Sequence, residues 1–129
     1  MPKTKLLALI AATSVSIITP LATATFSPMP AQASHNLACN CVLFARSKVP
    51  SLPRGLTTQA AKRRIINSYS PSVGAVAVMA VGRYGHVGRV VSVNGDGTIT
   101  VEESNYRPCR FTTRTGTPEQ LRVLGYFTP

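Results

Sequence analysis

The chain reads as an α+β fold, with short N-terminal helices packed on a small antiparallel β-sheet. Three features predict it. Capped helical stretches follow Asn40 and Thr57-Thr58, β-type segments rich in Val take over from Val73, and Asn94-Gly95-Asp96-Gly97 joins two of these as a hairpin turn. A length of 129 residues suits one domain.

The first 33 residues stand apart from that domain. Lys3 and Lys5 precede an apolar run from Leu6 to Ile18, and Ala31-Gln32-Ala33 is a small-x-small site of the kind signal peptidase accepts. The run is shorter than the roughly 20 apolar residues that cross a bilayer. Residues 1–33 are therefore expected to be a cleavable signal peptide, and 34–129 the folded domain. An uncleaved anchor is the alternative, and Ala22-Thr23-Ala24 offers a second cleavage point. Leu37-Ala38-Cys39 is a poor lipoprotein site, because Asn36 stands where an aliphatic residue is required. The expected location is secreted or periplasmic, with membrane contact only in transit.

Cleavage would leave 96 residues, enough for one modest core, and would lower the formal charge from +10 to +8 by removing Lys3 and Lys5. Outside the cell such a charge favours anionic envelope polymers and acidic lipid head groups over nucleic acid. A merely solvated basic face is the plainer reading, since Lys62-Arg63-Arg64 is the one cluster. The domain is expected to be a monomer. Three cysteines remain, Cys39, Cys41 and Cys109, and an oxidising compartment favours one bridge plus one free thiol. A Cys39–Cys41 bridge would close a strained ring, so the expected pair is Cys39–Cys109, with Cys41 free.

Along the chain, Asn40 caps a short helix beginning at Cys41, which Pro50 and Pro53 end. Thr57 or Thr58 caps a second through Ile66, with Ala60, Ala61, Ile65 and Ile66 inward and Lys62-Arg63-Arg64 mostly outward. Strands are expected over Val73–Val81, His86–Val93, Thr98–Glu103 and Leu121–Phe127, with Arg107–Glu119 a connection lacking periodicity. An even hairpin loop makes facing residues sum to 191. His86 then faces Asn105, with Glu103 one diagonal step away on the same face. An odd loop would bring Glu102 and Ser104 there instead.

Cys41, first in its helix, sits where the backbone dipole favours a thiolate, and His86 supplies a partner imidazole if helix and hairpin pack together. Glu103 would then orient the imidazole, and backbone N–H groups at the helix start would face a tetrahedral oxyanion. Each residue alone has a plainer reading: a structural cysteine, a polar histidine at a strand edge, a strand end turning into a loop. No GxSxG elbow supports a serine nucleophile, and Cys41, His86 and Cys109 lack metal-ligand spacing.

Taken together, Cys41-Val42-x-x-Ala45-Arg46, Val73-Gly74-Ala75-Val76-Ala77-Val78-Met79, Gly85-His86-Val87-Gly88-x-Val90 and Gly97-x-Ile99-x-Val101-x-Glu103-x-Asn105-Tyr106 resemble a CHAP domain. The resemblance covers about Asn40 to Gly125. It implies the papain-like fold of the NlpC-type superfamily and hydrolysis of peptidoglycan, at the N-acetylmuramoyl-L-alanine amide or at a peptide link. It further implies Cys41 as nucleophile, His86 as general base, Glu103 as the orienting acid and Asn105 as a fourth polar site residue. The chain departs from the family pattern in having Leu43-Phe44 and no Trp after the nucleophile, and Asn40 where Gln is frequent. Asn40 is the candidate for oxyanion or substrate binding. No acidic cluster stands near Cys41, so neither metal nor other cofactor is expected. Two readings compete with the hydrolase: a non-catalytic basic envelope-binding module, and an amidase for a non-wall substrate.

Overall fold

The computed structural model describes residues 13, 14, 16 and 27–129. The charged start and most of the apolar run assigned to export lie outside the described residues. Ala31-Gln32-Ala33 lies inside them and forms the first turn of helix α1 (Ala31–Ala38). The sequence reading placed no helix there. Its Ala-rich composition suits one, and Ser104 Oγ, donating to Leu37 O at 2.6 Å, fastens it to the sheet.

Helix α2 (Cys41–Lys48) starts where Asn40, in extended conformation, accepts from the Val42 and Leu43 N–H groups at 3.0 and 3.1 Å. The cap satisfies two of the orphan donors of a helix start, worth about 1 kcal/mol. Arg46 then donates to Leu52 O and Pro53 O, folding the following segment back on the helix. Helix α3 (Gln59–Arg64) is capped by Thr58, whose Oγ1 accepts from Ala61 N. Its orientation corrects the expected one. Lys62 turns inward and is 3 % exposed, while Ala60 faces solvent.

Strands β1 (Val76–Met79), β2 (His86–Val93), β3 (Ile99–Ser104), β4 (Phe111–Gly116) and β5 (Val123–Phe127) form one antiparallel sheet in the order β4-β3-β2-β1-β5. Strand β4 runs through the segment expected to be a connection. Its inward positions are Thr112, Arg114 and Gly116, so no apolar alternation marks it. Both sides of β1 are buried. Val76 and Val78 pack with Val87 and with Ala45, Val49, Leu52 and Leu56 from the helical side. Ala77 and Met79 join Val90, Ile99, Val101, Leu121 and Tyr126 on the other. Each such valine contributes roughly 1.5–3 kcal/mol by burial.

The hairpin differs from the expected one in its turn. Asn94 N donates to Thr98 O at 2.9 Å and Val93 pairs with Ile99, so the loop is odd. A bulge between Val90 and Ser92 then absorbs one residue, and Val90 faces Val101 while Arg89 faces Glu102. The bulge restores the 191 sum before the strands reach His86. Extended from there, it sets Gly88 against Glu103, where a Cβ would lie 3.3 Å from the glutamate Cβ and 3.2 Å from the Met79 methyl carbon. Glycine leaves the room that the acid occupies.

Candidate active site

The start of α2, the start of β2 and the loop after β3 meet around a cleft of about 590 Å³. Asn40, Cys41, His86, Asn105 and Tyr106 all line it. Glu103 lies behind His86, fully buried at 0 % exposure, and its Oε2 is 2.8 Å from His86 Nε2. That contact occupies His86 Nε2 and leaves Nδ1 for Cys41, which lines the same cleft. Cys41 is free, because Cys39 and Cys109 form a disulfide.

The electrostatics follow from this chain of contacts. Burial pushes the Cys41 thiol up, but the His86 hydrogen bond and charge, the Val87 N–H and the Lys62 charge outweigh it, and its pKa ends lowered. Burial pushes His86 down, whereas Cys41 and Glu103, by hydrogen bond and charge, raise it to about 9. Burial likewise opposes ionisation of Glu103. His86 and Arg114 reverse that and hold the carboxylate below its ordinary value. Thiolate, imidazolium, carboxylate and guanidinium thus alternate in sign, each stabilising its neighbours.

Arg114 escaped the sequence reading, since it lies in the strand that was not expected. Its Nε donates to Glu103 Oε1, its Nη2 donates to Oε2 at 3.1 Å, and Thr112 Oγ1 adds a bond to Oε1 at 3.2 Å. The guanidinium carbon also lies 3.5 Å from the centre of the Tyr106 ring. The β3–β4 register, Glu103 opposite Thr112 and Val101 opposite Arg114, puts these side chains on one face. Replacing Arg114 by methionine would leave a buried carboxylate held by His86 and Thr112 alone. The expected loss is about 2 kcal/mol of stability, read as a lower urea midpoint at unchanged slope.

The remaining expected residues take these places. Asn105 has φ 61° and lines the cleft, but its Oδ1 accepts from Cys109 N at 3.0 Å and closes the loop there. Asn40 spends its Oδ1 on the helix cap, which leaves its Nδ2 as the side chain's donor. Because Val42 and Leu43 N–H are occupied by that cap, the free backbone donor at the helix start is that of Cys41. Among the described residues, His35, Cys39 and Cys109 bring potential metal-ligand atoms within 4.8 Å of one another. The bridge consumes both sulfurs, which therefore carry no thiolate charge for a cation.

The pKa directions fix a pH profile. Below the lowered thiol pKa Cys41 gains a proton and loses the thiolate that a nucleophilic role would need. Above about 9, His86 loses the proton that a leaving group needs. A bell-shaped kcat/KM is expected, with its alkaline limb near 9. Glu103→Gln removes one of the groups that raise His86, so the limb should move to lower pH. A limb unchanged in that variant would deny Glu103 its influence on the imidazole.

The family model described as CHAP domain matches residues 32–105. A stretch of 37 residues, 29% of this chain, is 62% identical to the Staphylococcus aureus protein named Probable autolysin LDP, covering 13% of that protein. A stretch of 56 residues, 42% of this chain, is 45% identical to N-acetylmuramoyl-L-alanine amidase sle1 of Staphylococcus epidermidis, covering 17% of it. Among solved structures, an N-acetylmuramoyl-L-alanine amidase from Staphylococcus aureus matches with a TM-score of 0.57 and 25% identity, over 70% of this chain and 30% of that one. The matches thus span less than a fifth of the curated relatives' length and less than a third of the solved chain.

Proposed function

This chain belongs to the CHAP domain family, and from that premise we propose that it is a cysteine amidohydrolase or peptidase acting on amide bonds of bacterial peptidoglycan. The observation that carries the reading is the free Cys41 at the head of α2, sharing its cleft with a buried imidazole that is itself bound to a buried carboxylate. The Cys41 thiolate attacks the carbonyl carbon, and the oxyanion that forms faces Cys41 N–H and Asn40 Nδ2. Protonated His86 gives its proton to the leaving amine nitrogen as the C–N bond breaks, leaving a thioester on Cys41. His86, now neutral, takes a proton from water as the water oxygen attacks the thioester. The thiolate departs, the acid product leaves, and the proton remains on His86. Glu103 keeps the ring oriented throughout, and Arg114 keeps Glu103 ionised.

The names of the relatives, an autolysin and an amidase, support the wall as substrate. The disulfide and a formal charge of +8 on residues 34–129 support a place outside the cytoplasmic membrane, after export by residues 1–33, against an anionic polymer. A non-catalytic envelope module would be favoured by an oxidised Cys41, but that sulfur is free. Digestion of purified sacculi by the intact protein, with mass spectrometry of the new termini, tests the reading. New amino termini on stem or bridge peptides, or lactyl–peptide cleavage, are expected. Sacculi left intact would overturn it.

A further inference from the structure

We propose that Lys62 makes the cleft selective for substrates carrying a free carboxylate beside the scissile amide. This rests on the hydrolase reading above and names a substrate feature that reading leaves open. The cleft is lined by Arg46, Lys62 and Arg83 and by no Asp or Glu. Of these cations, Arg46 is spent on Leu52 O and Pro53 O, and Arg83 is exposed with its guanidinium 5.6 Å from the Tyr84 ring centre. Lys62 is different. It is 3 % exposed yet lines the cleft, and the one bond it makes among the described residues is from Nζ to Tyr84 O at 2.8 Å.

An ammonium has three donors and no acceptor, so one bond leaves two N–H groups unused. No side-chain carboxylate of the chain answers that charge. The chain has four Asp and Glu in all: Glu103 is committed to His86 and Arg114, Glu102 to Arg89, and Asp96 to the Thr98 turn. Glu119 remains, and it sits in the turn between β4 and β5. Thr58 caps α3 so that Lys62, four residues on, points inward rather than to water. The nearest anion, the Cys41 thiolate, is shared with His86, and a buried cation without a carboxylate of its own is costly. A carboxylate arriving with the substrate would relieve that cost, and a carboxamide of the same shape would not. The plainer role, pinning the loop before His86 through Tyr84 O, predicts no such discrimination.

Two synthetic peptides test it, identical except that the side group next to the scissile amide is a carboxylate in one and a primary carboxamide in the other. Binding to the Cys41→Ala chain is measured by calorimetry and cleavage by the wild-type chain as kcat/KM. The carboxylate form should bind at least about tenfold more tightly and be cut with a similar preference, carried by KM. Lys62→Met should bring the ratio to about one, and Lys62→Arg should keep most of it. Any general loosening of the loop or change in thiol reactivity affects both peptides alike and cancels in the ratio. Equal binding of the two peptides, or a ratio unchanged in Lys62→Met, would overturn the proposal. Selective binding without cleavage by the wild-type chain would instead defeat the hydrolase reading and leave carboxylate recognition standing.

Discussion

Replacing Cys41 by alanine is expected to lower kcat/KM on wall substrate by about four orders of magnitude or more. His86→Ala should do the same, and the double variant should be little worse than either single one. In the proposed mechanism the two side chains perform one step together. Without the imidazole the thiol loses the hydrogen bond and charge that offset its burial, and without the sulfur the imidazole has nothing to activate. Such groups are not additive. Neither substitution should unfold the domain, since the cores on both sides of β1 contain neither residue as a principal member. Release of labelled fragments from sacculi measures the loss, and a thermal melt checks the fold. Substantial turnover in both single variants would end the proposed mechanism.

The residues of the site were legible in the sequence to different depths, for physical reasons. Cys41 at a helix start follows from Asn40, because a cap residue declares where the dipole begins. The span of β2 follows from the hairpin signal and matches the structure, His86–Val93. An even loop would place Glu103 beside His86, but the loop present is not even. The turn is odd, and the bulge between Val90 and Ser92 offsets it. Nothing in Arg89-Val90-Val91-Ser92 announces a bulge, which depends on how both strands meet the core.

Arg114 and Lys62 were hidden by the opposite problem. Pattern reading takes apolar residues as the mark of an inner face, and both of these are cations pointing inward. A strand whose inner positions are Thr112, Arg114 and Gly116 looks like a loop, and a lysine beside two arginines looks like a solvated cluster. Their signal was stoichiometric rather than periodic. With four acids in the chain, a buried glutamate needs a cation from somewhere, and a β-branched run such as Thr112-Thr113-Arg114-Thr115 has strand propensity. The cation that answers Glu103 lies in that run.

The second large effect concerns the bridge. Cys39 and Cys109 are 70 residues apart in sequence, and closing a loop of that length restricts the unfolded chain by about 4 kcal/mol in the chain-entropy account. A domain of this size is stable by about 5–15 kcal/mol in total, so Cys39→Ser with Cys109→Ser should remove a large part of its stability. The bridge also joins the two segments that present the site. Cys39 precedes Asn40 and Cys41 directly, and Cys109 closes the loop that Asn105 caps. Activity should therefore fall at temperatures where the bridged protein is fully active, and return on cooling. Urea unfolding of the Cys41→Ala chain, bridged and with both bridge cysteines replaced, measures the loss without exchange through a third thiol. An unchanged midpoint would mean that the sheet and caps hold α1 and α2 in place without the covalent link.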